Sequence, residues 1–181
     1  MRKLFLITMF LCMTFFNAMA QKTVTIDGIK YHIENGEATI AVQDETLSGD
    51  IVIPESISYD ENNYSVVRAT NGAFQNTDIT GITLPNSITS LGNSCFKLCN
   101  KLTSVKLPDN ITSLGDETFM TCSKLSSINI PNTLTSLGEF CLAFCNITKL
   151  TLPNSITNLG NNCFQSCENL ETITLPQNIT N

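Results

Sequence analysis

Few residues in this chain have the chemistry to act on anything. There are eight cysteines, a single histidine at His32, and sixteen Asp or Glu against ten Lys or Arg. Three C-x-x-x-C pairs (Cys95 and Cys99, Cys141 and Cys145, Cys163 and Cys167) carry six of the cysteines, with Cys122 and Cys12 standing apart. A cysteine nucleophile needs an imidazole or carboxylate beside it to take its proton, and no histidine follows His32. A zinc site needs four converging donors, for which C-x-x-x-C alone is a weak pattern. No glycine-rich phosphate loop is present either, since every glycine after Leu91 stands alone. The residues therefore predict no catalytic site, no metal site and no cofactor. The cysteines, spaced so regularly, need another explanation.

That explanation starts from what positions them. Leu84–Lys106 reads LPNSITSLGNSCFKLCNKLTSVK, and Leu107–Asn129 reads LPDNITSLGDETFMTCSKLSSIN, the same stretch with small changes. Further copies begin at Ile130, one residue short, at Leu152 and at Leu175, and a degenerate copy begins at Ile53-Pro54 with extra residues around Tyr59–Tyr64. Self-similarity at this period is the mark of a repeat architecture. The carboxylates Asp109, Asp116, Glu117, Glu139, Glu168 and Glu171 share no single column of the repeat, so they form no regular ladder of acid/base or calcium sites.

Aligned columns predict each element of a rung. Leu102, Val105 and Leu107 recur as Leu125, Ile128 and Ile130, then Ile147, Leu150 and Leu152, then Leu170, Ile173 and Leu175, giving L-x-x-L-x-L with the alternation of a half-buried strand. Pro85-Asn86 and its equivalents are turn chemistry. A second apolar pair, such as Ile88 and Leu91, precedes a glycine (Gly92, Gly115, Gly138, Gly160), expected to permit a backbone conformation closed to other residues. Asn93, Asp116, Glu139 or Asn161 follows, three of them favoured helix N-caps, and Cys95, Phe96 and Cys99 then read as the inner face of a short helical turn. A lone rung cannot bury its apolar side, so the rungs must stack.

The cysteine columns are Cys99, Cys122, Cys145 and Cys167, with Thr77 in the degenerate copy, and Cys95, Thr118, Cys141 and Cys163, with Ala73 there. Small residues exchanged with Thr and Ala predict buried packing thiols. Disulfides between stacked rungs are the alternative, although the seven cysteines after residue 20 cannot all pair. Phe74, Phe96, Phe119 and Phe164 form a core column, broken by Leu142, whose neighbours Phe140 and Phe144 are expected to restore the lost volume.

Arg2 and Lys3, the apolar run Leu4–Phe16 and Ala18-Met19-Ala20 predict a signal peptide over residues 1–20, cleaved before Gln21, and hence secretion or display at the cell surface. The run is shorter than the roughly 20 residues a membrane-spanning helix needs, and Cys12 lacks the preceding small residues of a lipoprotein cleavage site. Two of the ten basic residues leave with it and none of the sixteen acidic ones, a net charge of −8 thereafter. Residues 21–80 hold three basic against ten acidic residues, which makes nucleic acid and anionic membrane poor partners, so no nucleic acid and, after cleavage, no membrane insertion are expected.

Residues 21–70 read as a β-rich cap, with turn signals at Asp27-Gly28, Asn35-Gly36, Ser48-Gly49-Asp50 and Asp60–Asn63, and His32 on one of its strands as a surface residue. Residues 71–181 read as the repeat array, whose last copy stops inside a rung and suggests a fragment. The whole is expected to be a repeat solenoid, with a parallel β ladder on one side and short helical turns on the other.

The period I/L-P-x-x-I/L-x-x-L/I-G-x-x-x-F-x-x-C-x-x-L-x-x-I/V-x resembles the BspA-like leucine-rich repeats of exported surface proteins, from Ile53 to the end of the chain. This one has no asparagine ladder after the strand. The resemblance implies a non-catalytic adhesion or interaction module that binds a protein on a host or neighbouring cell through its strand face. The alternative is a spacer or surface-coat segment of a longer protein. On that face the outward residues are Thr83, Lys106, Asn129, Thr151 and Thr174, with Thr103 and Lys149 from the preceding pairs.

Overall fold

The computed structural model describes residues 21–177 and 179. The signal-peptide assignment to residues 1–20 lies outside them, as does part of the last copy.

The first strands form a meander because their turns demand it. β1 (Lys22–Ile26), β2 (Ile29–Glu34) and β3 (Glu37–Ile40) pair antiparallel in sequence, Lys22 opposite Ile33 and Tyr31 opposite Ile40. Asp27-Gly28 and Asn35-Gly36 all have positive φ, between 50° and 80°, the two-residue turn whose twist suits a hairpin. Asp60 and Glu61 make the same turn between β5 (Ser56–Tyr59) and β6 (Asn62–Ala69). The far half of β6 then runs parallel, with β3 on one side and the two-residue β8 (Ser90–Leu91) on the other. One strand thus hands the meander over to the repeats.

Ser48-Gly49-Asp50 is not the turn its composition predicts. It lies in β4 (Ser48–Val52), which pairs in parallel with β7 (Asp78–Thr83). Gly49 takes φ 85° where the register shifts, so the glycine makes an irregularity within a strand and not a reversal. β9 (Ser104–Lys106) extends this sheet beyond β7, and two residues of each rung build a second ladder from β10 (Ser113–Leu114) through β11 (Ser136–Leu137) to β13 (Asn158–Leu159). β12 (Lys149–Thr151) pairs with β14 (Thr172–Thr174).

The third side of each rung is where expectation and structure part. No described residue is helical, and residues such as 94–99 form two successive turns instead. Ser94 and Leu98 have φ of 56° and 63°, as do their counterparts Glu117 and Thr121, and a right-handed helix cannot continue through such residues. Alternate N–H groups are thereby turned out of the rung. Those of Ser94, Phe96 and Leu98 donate to the carbonyls of Asp116, Thr118 and Met120 on the next rung at 2.8–2.9 Å, and the following rungs repeat the pattern. The N–H groups between them close local turns, Lys97 to Ser94 and Cys99 to Phe96. Neighbouring rungs are therefore joined by backbone bonds on this side too, which a helix would have kept for itself.

One core runs through the stack, from Tyr31 and Ile40 through Phe74, Phe96 and Phe119 to Ile147 and Ile156. Phe74, Phe96 and Phe119 stack with ring centroids 5.3 and 5.1 Å apart and planes within 7°. Leu142 continues the column fully buried, but Phe144 is exposed and Phe140 only half-buried. Both phenylalanines have positive φ and occupy columns whose side chains turn outward, so they do not restore the missing volume.

Candidate interaction surface

The predicted face is assembled by register. β4, β7 and β9 align Val52, Thr83 and Lys106 in one outward column, and β12 and β14 align Thr151 with Thr174. The neighbouring outward column holds Asp50, Gly81 and Ser104 in the first sheet, and Lys149 beside Thr172 in the second. Lys106, Asn129, Lys149, Thr151 and Thr174 are exposed or half-buried, as is Thr83. Thr103 is exposed one residue before β9, its hydroxyl donating to the Thr80 carbonyl at 2.9 Å. Asn129 belongs to no strand. The ladder is interrupted in its rung, where Thr148 N–H still reaches the Ser126 carbonyl at 3.2 Å. Among the described residues neither Lys106 nor Lys149 has an ion-pair partner, so both charges face solvent.

Asp50 and Val52 are additions to this face that the columns alone did not supply. The signal was present: DIVIP ends in the same apolar-proline step as GITLP and SVKLP. The Asp50 carboxylate accepts from the Thr80 hydroxyl at 2.6 Å, and it leans with the Ser104 hydroxyl over Gly81, where an added Cβ would meet each at 2.8 Å.

Behind the face, the polar columns hold the rungs in register. The Asn71 side chain accepts from Asn93 N–H, that of Asn93 from Asp116 N–H, and that of Asp116 from Glu139 N–H, at 2.9–3.1 Å. These residues are caps of the next rung and not of a helix, and they form a ladder after the glycine although none exists after the strand. The glycine before them is needed for space. Gly92, Gly115, Gly138 and Gly160 lack positive φ, but a Cβ at Gly138 would lie 2.5 Å from the Asp116 nitrogen.

The cysteines answer for their column in the same way. Cys99, Cys122, Cys145 and Cys167 are free thiols, and each donates to a carbonyl one rung back, of Phe74, Phe96, Phe119 and Leu142 respectively, at 3.0–3.1 Å. Thr77, in the first rung, instead donates its hydroxyl within its own rung, to the Phe74 carbonyl at 2.8 Å. Burial pushes the Cys99 and Cys122 thiols up, and burial followed by nearby Cys167 pushes Cys145 up to about 12. In the other column Cys141 is pushed up by its hydrogen bond to Cys163 and by burial. Such thiols are poor nucleophiles. His32 accepts or donates at Nδ1 with the Thr23 hydroxyl at 2.8 Å, in the meander and outside the cysteine columns. Among the described residues no group of three His, Cys, Asp or Glu could hold a metal ion, and no helix is long and apolar enough to cross a membrane.

Stacked rungs, most of them opening from an L-x-x-L-x-L strand, define a leucine-rich-repeat-type fold, a kind of protein typically without catalytic activity. The chain matches the BspA type leucine rich repeat region in six copies, over residues 54–117 and 91–181, and it belongs to that family. A leucine-rich repeat protein from Bacteroides ovatus is similar at 30% identity and a TM-score of 0.78, over 84% of this chain and 41% of that one. A leucine-rich repeat protein from Bacteroides capillosus is similar at 26% identity and 0.58, over 84% and 96%. The leucine-rich repeat protein of T. pallidum shares the fold at 24% identity and 0.73, over 86% and 72%. The chain thus spans less than half the length of the Bacteroides ovatus protein. No curated protein matches it.

Proposed function

We propose that this chain is a non-catalytic exported module, secreted or displayed at the cell surface after cleavage of a signal peptide at residues 1–20, which adheres to a protein of a host or neighbouring cell. Residues 21–70 act as the cap and residues 71–181 as the repeat array of a solenoid. Binding runs through Thr83, Thr103, Lys106, Asn129, Lys149, Thr151 and Thr174. The supporting observation is the register that sets Thr83 beside Lys106 and Thr151 beside Thr174, exposed or half-exposed, with two unpaired lysines among them. A rigid polar wall with free cations suits an acidic protein surface, whereas the chain has no Trp with which to stack a sugar.

The second reading, a spacer or coat segment, is favoured by the lack of any aromatic or arginine anchor in those columns. One experiment separates the two. Purified protein is titrated onto immobilised host extracellular proteins, and Lys106→Glu with Lys149→Glu is compared with the parent. Adhesion through this face predicts saturable binding that the double reversal weakens at least about tenfold, the worth of roughly 1.4 kcal/mol. No saturable binding, or binding indifferent to the reversal, overturns it in favour of the spacer.

A further inference from the structure

We infer a second binding surface, adjoining the strand face and sharing Asp50 and Val52 with it: the free edge of β4, which takes an extended, basic segment of a partner protein as an added strand. Among the described residues β4 has one neighbour, β7. On that side Asp78 N–H donates to the Leu47 carbonyl and Ile53 N–H to the Thr83 carbonyl. Both backbone groups of a parallel strand residue point the same way, so the odd-numbered residues of this stretch face β7. The N–H and C=O groups of Ser48, Asp50 and Val52 face away from it, with no described strand beside them.

Most exposed edges are blunted by a lysine, a proline within the strand, or a cover. Among the described residues this one has none of these three, and carries only the irregularity at Gly49 and the charge of Asp50. Pro54 falls after β4 has ended, and the Asp50 carboxylate is drawn sideways onto Thr80. Val52 is 73% exposed, more than any other large apolar side chain described. Beside the edge opens a cleft of about 460 Å³ between β4 and the meander, floored by Ile26, Ile29, Ile51 and Ile57. Alternate side chains of an added strand would enter it, since successive residues point to opposite faces.

Charge selects the occupant. The ionisable groups lining the cleft are Asp27, Tyr31 and Asp50, with no Lys or Arg, in a segment with three basic against ten acidic residues. A second copy of this chain would set Asp50 against Asp50 across the new pair. A segment with branched apolar residues at alternate positions and Lys or Arg beside them meets both the apolar floor and the acidic rim, and its backbone supplies the missing bonds.

The test uses a displayed library of random nonapeptides selected against the purified protein, with the winners measured as soluble peptides by calorimetry. Enrichment of alternating branched residues with Lys or Arg is expected, with affinity falling as salt rises. Val52→Pro removes an outward N–H and should weaken binding at least tenfold, as should N-methylation of alternate peptide amides, which leaves the protein intact. Asp27→Asn with Asp50→Asn should weaken it severalfold and flatten the salt dependence. Lys106→Glu with Lys149→Glu should leave it within twofold, so failure of the strand face and failure of this edge read out separately. The inference is overturned if no peptide is enriched, if winners bind N-methylated as well as not, if they depend on Lys106 and Lys149, or if the protein alone forms a dimer that Val52→Pro abolishes.

Discussion

At the scale of single residues, the cysteine at each rung acts as a short hydrogen-bond donor small enough for a slot 0–4% exposed in Cys99, Cys122 and Cys145. Serine would donate as well but buries a more polar atom, and alanine donates nothing. Cys122→Ala should therefore cost about 1–2 kcal/mol, from the lost bond to Phe96 and the space left behind. Cys122→Thr fills the slot and keeps a donor that can bond three residues back, as Thr77 bonds Phe74, so it should cost less than half of that, and urea unfolding midpoints of the two variants decide it. The buried acids also set a pH limit. Cys145 is pushed up from 9.0 to about 12, and Tyr31, by burial and then by Asp27, from 10.0 to about 12. A folded value above the unfolded one means stability that is complete below the unfolded value and lost as pH rises. The melting temperature is thus expected to hold to about pH 9 and fall steadily towards 12, and a flat profile across that window would contradict the burial of these groups.

At the scale of elements, the glycine column decides how closely rungs approach. Because Gly138 has an ordinary φ, alanine there would be tolerated by the backbone and refused by the neighbour, whose Asp116 nitrogen would lie 2.5 Å from the new Cβ. Gly138→Ala should destabilise by about 3 kcal/mol, the upper range of overpacking, whereas Gly28→Ala, where a Cβ meets nothing but φ is 80°, reports turn strain alone. A loss at Gly138→Ala no larger than that at Gly28→Ala in thermal unfolding would show that the neighbouring rung gives way to the added methyl. The turn segments make the complementary point. Their left-handed residues give up helical bonds inside the rung and gain bonds between rungs, so they cement the stack.

For the whole molecule, stability is a sum over neighbours, because each rung bonds only to those beside it. Amides in the middle of this chain, such as Phe96 and Phe119, donate into the next rung and lie in the phenylalanine stack. Among the described residues β14 has a single neighbour, and Ile173 and Leu175 are 36% and 51% exposed. Hydrogen exchange should be slower at Phe96 and Phe119 than at Ile173 and Thr174 by roughly 100-fold or more. Uniform protection would mean that this chain opens as one unit. The uneven charge belongs to this scale too: the acidic excess lies in residues 21–80, beside the free edge of β4, while the lysines of the strand face lie further along the stack.

What the amino-acid order determined alone is the period, the hairpins at Asp27-Gly28 and Asn35-Gly36, and the inward columns of Phe, Leu and Cys as far as the rung of Ile173 and Leu175, which are exposed. These follow from local chemistry or from a pattern read many times over, so a single ambiguous residue could not mislead. Packing of one rung on the next decided the rest. Cys95, Phe96 and Cys99 have the spacing of a helical face, yet the next rung offers carbonyls at Asp116, Thr118 and Met120 that take the N–H groups a helix needs. Gly49 carries the composition of a turn, yet β7 lies alongside to hold it in a strand. Both outcomes depend on a partner in the following rung, distant along the chain, and local composition has no term for a bond donor or acceptor that arrives only when the stack closes.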